Sequence, residues 1–229
     1  MIHDTKEFGI GLALITGFFL ALFVIFSPLF EGGTNALDYL DSTFNSVSKD
    51  SAYYIPSVAE KAKQHDGTAV TLSIKAADDK QSARMAKLFT TAGATVTTEA
   101  AQLSVSGDLG KILTAVLADA DLMFKNEGAA VSAKYGIEEK RVLYDWHQAL
   151  TAMTKDLNKQ EQFKAAKTLR DVQTKAVEPA YNYYGVKAIP MRNMLWVALV
   201  ALVGYVLYTI WYGYAILFLF EGWGLKLSH

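Results

Sequence analysis

Residues 8–30 read FGIGLALITGFFLALFVIFSPLF and residues 194–220 read MLWVALVALVGYVLYTIWYGYAILFLF; neither run holds Asp, Glu, Lys, Arg or His. The first run, of 23 residues, makes about 35 Å of helix and the second, of 27, about 40 Å, against a hydrocarbon core of about 30 Å. Both are therefore read as transmembrane helices, the longer one tilted or with its ends among the headgroups. Trp196 stands near one end of the second run, and Trp211, Tyr212, Tyr214 and Trp223 stand toward the other, where amphipathic rings anchor a span at the interface. Two plainer readings compete. Core helices of a soluble protein seldom run this long without a charge. A cleavable signal peptide has an apolar region of about 7–15 residues followed by a small-residue cleavage site, and no A-x-A pattern directly follows the first run.

The rest of the composition excludes chemistry. The chain has 229 residues, 52% of them hydrophobic and 20% charged, with a net charge of −1. That balance leaves no electrostatic footprint for nucleic acid. With no cysteine there are no disulfides, no Cys-ligated zinc, no iron–sulfur cluster and no covalently attached c-type haem. The spans also lack the histidine that holds haem b between helices and the ionisable groups of an ion path or proton relay. No cofactor and no metal are expected in this chain, and a redox centre would belong to a partner.

The spans divide the sequence into a short tail (1–7), the first span (8–30), a helical stalk (31–66), a small α+β domain (67–136), a helical hairpin or stalk (137–193), the second span (194–220) and a second short tail (221–229). Charges at the ends conflict over orientation. Lys6, with Asp4 and Glu7, precedes the first span, while Glu31, Asp38 and Asp41 follow it with no base before Lys49, which favours a cytoplasmic N-terminus. Arg170, Lys175, Lys187 and Arg192 precede the second span and Lys226 follows it, which favours the reverse. The first span is taken to dominate, since long loops translocate regardless of their charge. Residues 31–193 are expected outside the cytoplasm, on a bacterial-type inner (plasma) membrane with both tails cytoplasmic.

Between the spans, Leu37, Leu40, Phe44 and Val47 share one side of a helix, and Pro56 opens a short second one. Val70, Leu72 and Ile74 alternate with Thr71 and Ser73 as in a half-buried strand. Asp78 or Asp79 caps the helix that follows and Gly93 ends it; two short strands come next (94–98 and 102–106), then a strongly apolar helix capped by Asp108. Residues 129–135 suit either a fourth strand or a short helix. This order matches a ferredoxin-like α+β sandwich, a fold that names no function. From Glu138 the apolar spacing is helical throughout (Val142, Trp146, Ala149, Leu150, Met153, Leu157, then Phe163, Ala166, Leu169, Val172, Ala176, Ala180), with a polar joint at 158–160 and a kink at Pro179.

Two sets of residues are singled out. Gly9, Ala13, Gly17 and Ala21 lie four apart on the first span, and small residues at that spacing let a second helix backbone come close in lipid. Tyr205, Tyr208 and Tyr212 fall three to four apart on the second span, a candidate face for lipid, quinone or a partner, with interface packing as the plainer reading. No catalytic constellation is present. Asp145 and His147 sit two apart on a helix and point to different sides, so His147 reads as a solvent-facing histidine beside the core Trp146; Asp119 and Asp121 share the difficulty. The expected role is a non-enzymatic accessory or structural subunit of a larger inner-membrane complex, respiratory or transport, whose partners are other integral membrane subunits and the lipid bilayer. The alternative is a membrane-anchored ligand-sensing or solute-binding protein.

Overall fold

The computed structural model describes residues 2–225, the side chain of residue 31 excepted; Lys226 and His229, the last base and the last histidine of the sequence, lie outside them. Helices are α1 (Thr5–Phe26), α2 (Ala36–Ser51), α3 (Ile55–Ala62), α4 (Asp79–Thr91), α5 (Leu109–Phe124), α6 (Gly128–Tyr135), α7 (Glu139–Lys159), α8 (Phe163–Val172), α9 (Glu178–Asn182) and α10 (Leu195–Gly222). Strands are β1 (Ala69–Lys75), β2 (Thr95–Glu99) and β3 (Gln102–Asp108). The fold is thus mostly helical with one small antiparallel sheet. The chain forms two compact units, Met1–Val47 with Ala188–His229, and Ser48–Lys187; the division falls inside α2.

In the first unit, α1 and α10 pair antiparallel. Asp4 caps α1 by accepting the Lys6 and Glu7 amides, and the Gly222 carbonyl at the end of α10 accepts the His3 and Asp4 amides. α1 stops at Phe26, short of the end of its apolar run, because Ser27 precedes Pro28 and is held out of the helical region. Both helices are long and apolar enough to cross a membrane, and only 11% and 6% of their most apolar stretches are buried. Large apolar side chains therefore stand open all along them, such as Leu20, Phe23, Val200 and Leu207.

The second unit has a sheet of order β1–β3–β2, with Leu72 and Val96 on either side of Val105. Its inner face, Val70, Leu72, Ile74, Leu103 and Val105, is buried, while Thr71, Ser73, Ser104 and Ser106 face outward. The expected strand–helix–strand–strand–helix run is present, but the ferredoxin-like fourth strand is not found among the described residues. Residues 128–135 are α6 instead. The i, i+4 pair Val131 and Tyr135 enters the core, and Gly136, at φ +61°, closes the helix as a left-handed cap. Beside β1, where a fourth strand would pair, α7 and its C-cap offer side chains: Asp156 accepts the Ser73 amide and Gln160 donates to the Thr71 carbonyl.

Of the helices expected as a stalk, α3, α7 and α8 are part of this same core. Ile55, Val58 and Ala62 of α3, the stripe from Val142 to Leu157 of α7, and Ala166, Leu169 and Val172 of α8 are buried with the sheet. α8 runs into a π-turn at Gln173–Val177, directly before Pro179 of α9. Proline has no amide to donate to the carbonyl four residues back, and a wider i→i+5 turn at this point accommodates the break.

Candidate functional site

The four small residues of α1 do not act together in its contact with α10. Gly9 and Ala13 are exposed, and a Cβ added at Gly9 would meet nothing within 4 Å. Gly17 and Ala21 are half-buried, with Gly17 against the Trp211 ring. The pairing face instead runs through Phe8, Gly11, Leu14, Phe18 and Leu22, with Gly11 and Phe18 buried. Its steps of three and four are those of a coiled-coil seam. A strict step of four drifts around a 3.6-residue helix, so the small-residue stripe leaves the seam toward its N-terminal end. At Gly11 an added Cβ would lie 2.6 Å from the Leu219 amide nitrogen, and at Gly222 an added Cβ would lie 2.5 Å from that of Phe8. These two glycines, absent from the sequence reading, set the approach of the helices.

The tyrosines of α10 divide. Tyr208 stacks on Phe18 at 4.4 Å and Tyr212 lies 5.1 Å from the same ring, while Tyr205 is 68% exposed. Trp211 donates its indole N–H to the Leu14 carbonyl at 3.1 Å, a polar contact between two otherwise apolar helices. Leu22, Ile25, Leu37, Leu40, Tyr205 and Tyr208 border an apolar hollow of about 390 Å³ in this unit.

In the second unit the titratable groups form interior networks. Asp119 of α5 is fully buried and accepts from Lys134 (2.8 Å), the Tyr135 hydroxyl (2.7 Å) and the Trp146 indole (2.9 Å). Burial, then the hydrogen bond to Asp119, drives the Tyr135 phenol well above its ordinary value and keeps it a donor. Asp145 of α7, also fully buried, receives Nε and Nη2 of Arg84 at 2.5 and 3.2 Å and the Gln81 amide at 3.1 Å. The sequence reading treated neither aspartate as a core residue. Outside the core, Asp171 binds Lys61 (2.7 Å) and Lys175 (3.1 Å), whose hydrogen bonds hold its carboxyl below the usual range.

His147 is half-buried rather than solvent-facing. Its Nε2 lies 3.1 Å from Glu178 Oε1 and 2.9 Å from the Gln173 side-chain amide, so the π-turn and α9 hold it. With Leu143, Tyr144, Val177 and Tyr181 it borders a shallow groove of about 200 Å³. Asp145 points away from it, into the core. Comparison with family models, with curated proteins and with solved structures returns no match.

Lys49 shows how the C-terminal end of this unit is tied down. It is 2% exposed, and its ammonium donates to the Tyr183 and Val186 carbonyls and to Asn126 Oδ1 at 3.1, 2.7 and 2.9 Å, with no carboxylate among these partners. Burial holds its pKa below the ordinary value. Each acceptor has a second donor: the Val186 amide for the Tyr183 carbonyl, the Asn126 side-chain amide for Val186, and the Gly185 amide for Asn126 Oδ1. Lys49→Met therefore leaves no orphaned acceptor and removes a buried charge. It is expected to change unfolding free energy by less than about 1 kcal/mol. Asn126→Ala loses this bridge at a residue with φ +65° and is expected to cost about 2 kcal/mol or more. Urea titrations of the two variants followed by circular dichroism check the order, which a larger loss for Lys49→Met would reverse.

Proposed function

We propose that this chain is a non-catalytic subunit of a larger assembly in a bacterial-type inner membrane. α1 and α10 anchor it, and residues 31–193 lie outside the cytoplasm and dock on partners that carry the chemistry. The observation that carries this reading is the exposure of the helix pair. Exposed apolar patches on soluble monomers rarely exceed a few hundred Å², whereas here nearly the whole outer surface of two long helices is apolar and uncovered. Lipid and neighbouring helices are the covers that fit. Gly9 and Ala13, left open by the α1–α10 seam, offer a partner helix a surface where backbones can come close. Gentle solubilisation of native membranes followed by native mass measurement tests the proposal. A particle containing other membrane subunits is expected; a stable single chain would overturn it.

A second reading, a membrane-anchored ligand sensor, is favoured by the groove at His147. It joins apolar walls to a few convergent polar groups beside a π-turn, a feature often found at binding sites. It predicts a small molecule that raises the melting temperature of the protein in detergent, with the rise lost in His147→Ala.

A further inference from the structure

The outer edge of β1 opens onto a groove of about 430 Å³ between the strand and α7, bordered by Ser73, Lys75, Gln148, Thr151, Lys155 and Lys159. Its three lysines are exposed, and none of them forms an ion pair among the described residues. Some lysines of this unit do find carboxylates, Lys61 and Lys175 on Asp171, Lys63 on Glu60, Lys125 on Asp121 and Lys134 on Asp119; what sets the groove apart is that three unpaired ones stand together. The groove's own carboxylate, Asp156, is occupied by the Ser73 amide and by Gln160. Three lysines stand against this one carboxylate, so the groove carries a net positive charge in a chain whose net charge is −1.

Beyond the groups that Asp156 and Gln160 occupy, the strand edge beneath those lysines is suited to pairing. The Ala76 amide donates to Ala101 at the end of β3, whereas the Ser73 amide turns the other way to Asp156. Backbone groups of an antiparallel strand alternate between its two sides, so the amide of Lys75 faces the groove as that of Ser73 does. The contacts already made there imitate a neighbouring strand: a carboxylate oxygen accepts from Ser73, and an amide donates to the Thr71 carbonyl. Exposed sheet edges take up extended peptides through the same two kinds of bond.

We propose that this groove docks an extended acidic segment of a partner subunit. The segment continues the ladder beyond Asp156 by accepting the Lys75 amide, and its carboxylates pair with Lys75, Lys155 and Lys159. The inference rests on the subunit reading above and adds to it the face used and the chemistry of the partner.

The test uses the full chain in detergent and a fluorescein-labelled peptide of alternating Glu and Val, about eight residues long, the length of an ordinary strand. The read-out is anisotropy. Three comparisons accompany it: a peptide with proline at alternate positions and the same number of glutamates, an oligothymidylate of equal charge, and the Lys155→Glu/Lys159→Glu variant. A Lys155→Gln/Lys159→Gln variant, checked for an unchanged circular dichroism spectrum, guards against misfolding. The acidic strand peptide is expected to bind, and both charge variants and the proline peptide to weaken binding by about tenfold or more. No binding, equal binding by the proline peptide or the oligothymidylate, or no loss in either variant would each overturn the proposal. Particle mass from native membranes is measured in parallel. A multi-subunit particle without peptide binding removes this docking face and leaves the subunit reading standing, whereas a single-chain particle removes that reading itself.

Discussion

Asp119→Ala is expected to lower the unfolding free energy by about 3–5 kcal/mol, the largest effect of any exchange of one charged side chain in Ser48–Lys187. The carboxylate is 0% exposed and is the acceptor for three donors on two other helices: Lys134 and Tyr135 of α6 and Trp146 of α7. Alanine leaves a buried phenol and a buried indole N–H without that acceptor, each costing about 1–3 kcal/mol, and leaves Lys134 without its counter-charge. Lys134 is partly exposed and recovers much of its loss in water. The tyrosine and tryptophan are fully buried and cannot. Asp119→Asn keeps one acceptor oxygen but gives up the charge and brings a surplus donor, so an intermediate loss is expected. Urea unfolding of the full chain in detergent, followed by far-ultraviolet circular dichroism, measures all three proteins. A loss below about 1 kcal/mol for the alanine variant would mean that water reaches the vacated site and satisfies the ring donors.

The signal for this network was present in the sequence, and it was a misfit rather than a motif. The buried stripe of α5 runs through Ile112, Val116, Ala120 and Met123, and Asp119 falls inside it, three after Val116 and four before Met123. Asp145 falls likewise between Val142 and Ala149 on α7. A charge within an apolar stripe costs too much to bury alone, so its position alone announces a partner. The partner's identity was not legible. Arg84 lies 61 residues from Asp145, and Tyr135 and Trp146 lie 16 and 27 from Asp119, across turns whose geometry a spacing rule does not supply.

Local signals carried most of the elements. β1 follows its alternation, and α4 and α5 start at Asp78 and Asp108, each accepting an amide of the first turn. The ambiguity at 129–135 arose because Val131, Ala133 and Tyr135 alternate as in a strand while Val131 and Tyr135 also stand one helical turn apart. Gly136 tips the balance by closing a helix. The helices read as a stalk failed for a different reason. Periodicity shows which face of a helix is apolar, but not whether that face meets another helix or a sheet, and here α3, α7 and α8 all share the sheet's core.

The same limit governs the helix pair and sets the last expected result. Gly11→Leu should force α1 and α10 apart, whereas Gly9→Leu should leave them paired. At Gly11 the new Cβ falls 2.6 Å from a backbone nitrogen of α10, which cannot move aside without the whole helix; at Gly9 it meets open space. Spin labels on cysteines placed at the exposed Leu12 and Phe220 report the spacing, in a chain with no native cysteine to interfere. For Gly11→Leu the helix axes are expected to move toward the roughly 8–10 Å spacing of helices held apart by side chains, and the label distance to lengthen with them. Without a hydrophobic force between helices in lipid, the lost packing has little to replace it. Native particle mass should respond the other way around. Gly9 faces outward, so on the proposed subunit reading Gly9→Leu fills the surface that would meet another subunit and should shed partners while the label distance stays constant. A Gly9→Leu variant that alters the label distance, or a Gly11→Leu variant that does not, would mean that the small-residue stripe rather than the Gly11–Phe18 seam joins the two helices.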